Sequence, residues 1–462
     1  MSRVAVVGGG IAGLAAAHAL ATGEPDAEVV LFERDDRLGG KLLTTGFAGH
    51  HAIDEGPDAF LARLPWGTGL ARKVGLGGHL VSPQSGKAAV WWEHLHGIPE
   101  GLLLGMPTDV LALARSRLLT WPGKLRAATE PFRRRTSTEP DSLGQYVRAR
   151  FGDEVHLRLV DPLVGSIYAA DTDHFSLAAV PQIADLAKKE RSILIAGRTM
   201  PKPATGTGAA AAAGPAFYAP QDGMGALATA TATAARAAGA TLRTGAAVSE
   251  LARDGHGWRV EGEHFDAVVL ACPAPAAAAL LAPLDCLPVG VADTLAAVPA
   301  ADVAMVTLAV DVADWPEHLL PYSGYLVPKP QQRRVTAASF GSQKWAHWAD
   351  GRQVILRVSL GRDGLPVLHL SDEQLLAAAV EETGHHLGLD LQPRHARVSR
   401  WAGAFPQYRP HHATRIEAAM AALPRGLALA GAGYLGIGVP ACIRSAENAA
   451  GAVSAALRAV PE

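Results

Sequence analysis

Residues 4–20 read VAVVGGGIAGLAAAHAL, and few folds accommodate such a stretch. Residues 4–7 are small, apolar and mostly β-branched, the composition of a short strand buried on both faces. Residues 12–20 are rich in Ala and Leu and predict a helix. Gly8, Gly10 and Gly13 fall on the turn between them in the spacing G-x-G-x-x-G. Each glycine answers a physical demand: a tight turn, the close approach of a pyrophosphate, and close packing of helix on strand. The first turn of the helix, with Ile11 and Ala12, offers unpaired N–H groups and a partial positive charge to an anion. A chain with 49 glycines meets this spacing by chance, so the context has to decide. After the helix, AEVVLFE predicts a second strand that ends on Glu33, 20 positions beyond Gly13. A carboxylate there accepts hydrogen bonds from ribose hydroxyls and repels a 2′-phosphate. The N-terminus therefore reads as a βαβ dinucleotide site.

The chain has 462 residues, enough for two or three domains. Hydrophobic residues make up 49%, charged residues 19%, and the formal net charge is −2, a balance with no electrostatic bias toward nucleic acid. Cys272, Cys286 and Cys442 stand far apart without a C-x-x-C, which predicts reduced thiols and a cytoplasmic protein. A strand from Val4 leaves no room for a signal peptide, and no apolar run approaches the ~18 residues of a spanning helix. The 18 histidines include several adjacent pairs but no metal-like spacing with a carboxylate, so no metal is expected. Neither a G-x-S-x-G elbow nor a Walker loop occurs, and hydrolase and NTPase readings find no support.

Residues 91–200 change to a helical pattern broken by prolines at 107, 122, 131 and 140. The stretch 197–216 is low in complexity and reads as a flexible loop. From residue 222 the α/β pattern returns, with an Ala-rich helix, a strand through Val248, and a hairpin-like pair whose second strand ends at Cys272. Residues 300–362 look strand-rich and 371–388 helical. The C-terminus repeats strand, glycine turn, helix. Gly431, Gly433, Gly436 and Gly438 there allow close approach to a flat ligand, and Pro440 suits the first turn of a helix. We expect an α/β protein in which a Rossmann-like nucleotide domain is assembled from discontinuous segments: 1–63, 218–290 and 398–462. A mixed-sheet substrate domain takes 64–90 and 291–397, and a helical insert takes 91–217.

At this point GGGIAGLAAAHAL…VVLFERDDRLGGK resembles the FAD-binding entry of the monoamine oxidase, phytoene desaturase and protoporphyrinogen oxidase superfamily. Further stretches resemble the porphyrinogen oxidases: DEGPDAFLAR (54–63), PLVGSIYAADTDHFSL (162–177), SQKWAHWADGRQVILRVSLGR (342–362), and RWAGAFPQYRPHH with the C-terminal glycine segment. They span nearly the whole chain in order. Ala346 in place of the usual proline, His411 where glycine is frequent, and residues 200–216 depart from the pattern. The resemblance implies FAD held by Gly8, Gly10, Ile11, Ala12, Gly13, Glu33, Arg34, Gly39, Gly40, Lys41, Gly56, Pro57, Asp58, Val248, Trp401, Gly433, Gly438 and Val439. It also implies three two-electron oxidations of a porphyrinogen, by hydride transfer to flavin N5 with reoxidation by oxygen, and no catalytic triad.

Two substrates fit this family: coproporphyrinogen III, with four propionates, and protoporphyrinogen IX, with two propionates and two vinyls. Arg115, Arg117, Lys124, Arg126 and Arg133 to Arg135 argue against a bilayer-inserted face in 91–135; coproporphyrinogen is the favoured substrate, a preference to which this charge pattern adds little. Candidate substrate contacts are Arg63 as a propionate clamp, Tyr168 against the tetrapyrrole plane, and Lys344 and Arg357, which alternatively serve only the sheet. Asp171 is expected to cap a helix. The resemblance also leaves room for a transient handover of porphyrin to the next heme-pathway enzyme and leaves the oligomeric state open. An amine or carotenoid oxidoreductase on the same scaffold, and a non-catalytic porphyrin-binding module, remain as other classes.

Overall fold

Alternate residues of the first strands point to opposite sides of one sheet, and each side has its own core. The computed structural model describes residues 2–84, 87–99, 101–197 and 215–459. A five-stranded, all-parallel sheet runs in the order Thr241–Arg243, Glu28–Phe32, Arg3–Val7, Ala267–Leu270, Leu427–Leu429. Val4, Val6, Val29, Leu31 and Val269 face helices Ile11–Gly23, Met224–Ala237 and Val439–Arg458. Ala5, Val7, Val30, Phe32 and Leu270 face the opposite layer. That layer holds the antiparallel meander Leu251–Asp254, Gly257–Val260, Glu263–Phe265 and the helix Ala274–Leu281. Burial on both faces explains why these strands read as unbroken apolar runs. The last strand and the last helix join the first ones in one layer, so the two ends of the chain share a sheet.

Two local expectations are corrected here. The strand expected to run through Val248 ends at Arg243, because Gly245, at φ +63°, turns the chain and Ala246 then hydrogen-bonds back to Glu33. The expected hairpin partner splits in two. Residues 263–265 pair with 258–260, whereas 267–270 leave the meander for the parallel sheet. The expected flexible loop lies, for residues 198–214, outside the described residues.

The second sheet has seven strands in the order His395–Pro406, Ala300–Asp311, Gln353–Leu360, Val335–Phe340, Gly324–Leu326, Ala88–Trp92, His94–Gly97. All its joints are antiparallel except the one between Gly324–Leu326 and Ala88–Trp92. Helix Asp372–Leu387, started by a Ser371/Gln374 capping box, packs on one face. Trp345, Trp348 and Ile355 join the core of the first domain's helices and so fasten the two sheets together. Strand His94–Gly97 belongs to this second sheet, although the helical pattern was expected to begin at 91. Its neighbour is a helical unit around Leu143–Phe151, Asp161–Tyr168 and Pro181–Lys189, with its own core. A buried ion pair, Arg362 to Asp161 at 2.9 Å, ties that unit to the sheet. Gly165 is required there, because a Cβ would stand 2.8 Å from the Arg362 Nη2.

Candidate active site

The three motif glycines have separate jobs in the structure. Gly8 adopts φ +111°, and a Cβ on it would lie 2.8 Å from the Ala271 carbonyl oxygen. A Cβ on Gly13 would stand 1.8 Å from the Gly8 carbonyl oxygen, so helix and strand touch there. A Cβ on Gly10 would meet no atom within 4 Å. Gly10 also begins the helix without a side-chain cap, so the first-turn amides of Ile11 and Ala12 keep their capacity for an anion. The Gly39–Gly40 turn folds back over this point. Gly39 donates to the Gly9 carbonyl at 2.8 Å, and a Cβ on Gly40 would stand 3.1 Å from the Gly10 Cα.

Glu33 is 9% exposed; its two oxygens accept the Gly9 N–H at 2.5 Å and the Asp35 N–H at 2.9 Å. The carboxylate is therefore fixed at the strand end by the loop it serves. The segment carrying Val248 lies alongside, since Ala246 donates to the Glu33 carbonyl at 2.8 Å. Arg34 is exposed and pairs with Asp35. The sequence reading missed Arg37. Its Nη2 donates to the Gly40 carbonyl at 2.7 Å, while its buried Nη1 has no partner among the described residues. Its place two residues before the glycine pair was the available signal.

The second glycine segment leads into helix Val439–Arg458, which also starts without a side-chain cap, with Pro440 in its first turn. Of the four glycines, only Gly438 faces open space. A Cβ on Gly436 would come within 2.8 Å of Ala441 Cβ, and one on Gly433 within 3.1 Å of Ala274 Cβ. Those two therefore serve the packing of the chain itself as well. Tyr408 braces the segment by donating to the Ala432 carbonyl at 2.7 Å and accepting the Gly436 N–H at 2.8 Å. Lys41 is exposed, and desolvation draws its ammonium below the ordinary value. Burial pushes the neighbouring Cys442 thiol, in the first turn of that helix, up to about 11.

Residues 54–63 pass between the two sheets. A Cβ on Gly56 would stand 2.3 Å from the Lys41 carbonyl oxygen. Trp401 donates from Nε1 to the Glu55 carbonyl at 2.9 Å and covers Gly56. Pro57 is exposed. The Asp58 carboxylate accepts from Lys344 Nζ at 2.8 Å and Trp345 Nε1 at 3.1 Å, and lies 3.4 Å from Arg357 Nη1. Arg357 also donates to the Gly56 carbonyl. Burial would raise the Asp58 pKa, but Lys344 and Arg357 together hold it far below the usual carboxylate range. Burial raises Asp54 to about 6, against the hydrogen bond from Thr44 and the charge of Arg357. These contacts accord with the alternative in which Lys344 and Arg357 serve only the sheet. Both cations are taken up by Asp58, and Arg357 is only 4% exposed. Asp58 itself is likewise turned toward the sheet.

Arg63, at the end of the same segment, is exposed. Burial raises the Tyr168 phenol, against the charge of the Arg63 guanidinium. The Tyr168 ring packs on Phe175 at 5.1 Å. Gln182, from the helical unit, presents its side-chain amide to the guanidinium. Asp171 caps no helix. It binds Lys329 Nζ at 2.6 Å and accepts the Asp173 N–H at 3.1 Å in a turn, and the next helix begins only at Pro181. No cluster of three or more metal-type ligands occurs among the described residues.

The residues present suit a flavin dinucleotide: an uncapped helix start, an open Gly10, a buried guanidinium nitrogen without a partner, and a carboxylate at the second strand end. The family model for flavin containing amine oxidoreductases matches residues 11–454. Relatives include a coproporphyrinogen III oxidase of Mycobacterium tuberculosis, 34% identical over 98% of each chain. The coproporphyrinogen III oxidase of Bacillus subtilis and the human protoporphyrinogen oxidase are each 29% identical over 97% of both chains. A solved structure from Exiguobacterium sp. 255-15 superposes with a TM-score of 0.85 at 30% identity over 99% of each chain. Cyclohexylamine oxidase from Brevibacterium oxydans shares the fold, with a TM-score of 0.69 at 18% identity over 99% of each chain. The chain thus belongs to the flavin-containing amine oxidoreductases, within the group formed by the coproporphyrinogen III and protoporphyrinogen oxidases.

Proposed function

We propose that this protein is an FAD-dependent coproporphyrinogen III oxidase of heme synthesis, removing six electrons in three two-electron steps and passing them to oxygen. The observation that carries this reading is the exposed Arg63 beside Tyr168 and Gln182, at the end of the segment that passes Gly56 and Lys41. A guanidinium binds a carboxylate through two parallel hydrogen bonds, and a half-buried tyrosine offers a ring face to a flat, partly apolar macrocycle. Four propionates make coproporphyrinogen the substrate that gains most from such a cation. The names carried by the bacterial relatives support the same choice.

A bound FAD would supply the two-electron acceptor for hydride from each methylene bridge of the macrocycle. Glu33 would accept from the ribose, and the amides behind Gly10 together with Arg37 would hold the pyrophosphate. The Val248 backbone would meet the adenine. Lys41 and the uncapped start of helix Val439–Arg458 would offer positive charge to a ring that gains negative charge on reduction. Arg63 and Tyr168 would orient the substrate.

The test compares kcat/KM of the FAD-loaded protein for coproporphyrinogen III and protoporphyrinogen IX, read as porphyrin fluorescence. A ratio favouring coproporphyrinogen supports the proposal. A ratio favouring the other porphyrinogen transfers it to protoporphyrinogen IX, the substrate in the name of the human relative. No fluorescence from either overturns porphyrinogen oxidation altogether.

A further inference from the structure

Gln407 and Tyr408 are consecutive residues, both buried, and they hold two different sides of the site. They follow directly on strand His395–Pro406, and the Gln407 N–H donates to the Pro299 carbonyl at 2.7 Å, so their own backbone is anchored to the second sheet. The Gln407 side chain reaches toward the helical unit. Its Nε2 donates to the carbonyls of Tyr168 at 3.1 Å and Ala169 at 3.3 Å, where the helix carrying Tyr168 ends.

Tyr408 reaches the other way. Its hydroxyl bonds with the Ala432 carbonyl and the Gly436 N–H both fall in the glycine segment that leads to the open Gly438. His412 stacks on the Tyr408 ring at 3.8 Å, and its Nε2 donates to the Tyr434 carbonyl at 2.8 Å. Backbone groups at 432, 434 and 436 are thus held by two side chains that pack on each other. Burial draws the His412 imidazole down to about 4 and raises the Tyr408 phenol, so both stay neutral and keep these bonds at neutral pH.

The two sides also meet through rings. Phe175 packs on Tyr168 at 5.1 Å and lies parallel to Tyr408 at 6.3 Å, and the Tyr408 carbonyl accepts the adjacent Ser176 N–H at 2.7 Å. Consecutive Cα atoms stand about 3.8 Å apart whatever the surroundings do. The grip on Tyr168 and the grip on the glycine segment are therefore joined covalently and cannot drift apart.

We propose that Gln407 and Tyr408 are positioning residues that fix the separation between Tyr168 and the 431–438 segment, and thereby between macrocycle and flavin. The inference rests on the proposed function, in which Tyr168 orients the porphyrinogen and the start of helix Val439–Arg458 faces the flavin ring. Hydride transfer needs its reacting atoms within about 3.5 Å, and a misplacement of about 1 Å costs on the order of 10²-fold. Both side chains act through the backbone of other residues, which is how a spacing is set.

The experiment compares flavin-loaded wild type with Y408F, Q407L and L375A. Leu375 is buried between the second sheet and helix Asp372–Leu387, in a core that includes neither segment, so L375A controls for lost stability alone. Three readouts are taken: the visible absorption and circular dichroism of bound flavin, the rate of anaerobic flavin reduction, and KM, with whichever porphyrinogen wild type oxidises. Y408F keeps the ring and loses both hydroxyl bonds; it should shift the flavin bands and slow reduction roughly tenfold or more at unchanged KM. Q407L should keep the wild-type bands, raise KM and slow reduction, because the end of the Tyr168 helix is freed. L375A should melt earlier and move none of the three readouts. H412F loses only the Tyr434 contact and carries the expectation of Y408F should that variant not fold. Wild-type bands and reduction rate in Y408F overturn the inference, as do wild-type kinetics in Q407L or shifts in L375A that match either variant. Wild type that oxidises neither porphyrinogen overturns the proposed function and the inference with it, whereas active wild type with variants like it overturns the inference alone.

Discussion

Replacing Asp58 by asparagine keeps the shape of the side chain and removes its charge, leaving Lys344 and Arg357 opposite a neutral amide. Arg357 is 4% exposed and Lys344 22%, so neither cation recovers full hydration. Removing one partner from a buried ion pair costs about 3–5 kcal/mol. Two contacts reduce that figure: Arg357 keeps the Gly56 carbonyl, and the amide oxygen of the new side chain still accepts from Trp345. We expect D58N to lose about 2–4 kcal/mol, or several degrees of melting temperature. The pH dependence gives a second readout. The folded pKa of Asp58 lies below its unfolded value of 3.8, so its stabilisation is complete above 3.8 and is lost as pH falls below it. Wild type should therefore lose stability into acid faster than D58N, and the two melting curves should converge. Because Arg357 also holds Gly56, flavin should leave D58N faster on dilution. In D58N/K344M part of the loss should return, since one of the stranded cations is gone. A D58N protein that melts with wild type at neutral pH and retains flavin equally well would refute this account of the cluster.

Gly10→Ala and Gly13→Ala should fail differently. A Cβ at Gly10 meets no protein atom, so the G10A apoprotein should melt as wild type yet bind flavin weakly; a Cβ at Gly13 meets Gly8 at 1.8 Å, so G13A should fold poorly, as circular dichroism would report. Glu33→Ala should weaken flavin binding by about 1–3 kcal/mol in equilibrium titration, because ribose hydroxyls and the Gly9 and Asp35 amides lose their acceptor. Asp54 titrates near 6 in the fold against 3.8 unfolded, so ionising it costs stability progressively as pH rises between those values. Asp54→Asn keeps an acceptor for Thr44 and Met224 and should gain on the order of 2 kcal/mol over wild type at neutral pH and little below 3.8, measured by melting at both. Arg63→Ala should raise KM for coproporphyrinogen with flavin content intact; unchanged kinetics would return Arg63 to the solvated surface.

The dinucleotide entry was legible in the sequence because it depends on local geometry. Only a residue without a Cβ tolerates the approach of Gly13 to Gly8, and only a strand buried on both faces reads as VAVV. The fold class and the family followed from such stretches in order along the chain. Tertiary structure decided where the charges go. Asp58 lies far in sequence from Lys344 and Arg357, and nothing in its neighbours shows that these charges neutralise one another. Asp171 looks like a helix cap until Lys329, from the turn Lys329–Gln331 between two strands of the second sheet, arrives beside it. The glycines at 433 and 436 likewise serve chain packing that only the folded loop displays. Backbone conformation is a property of a few consecutive residues and is written there. Charge pairing and exposure depend on which distant segments meet, and so they become visible only when the chain has closed on itself.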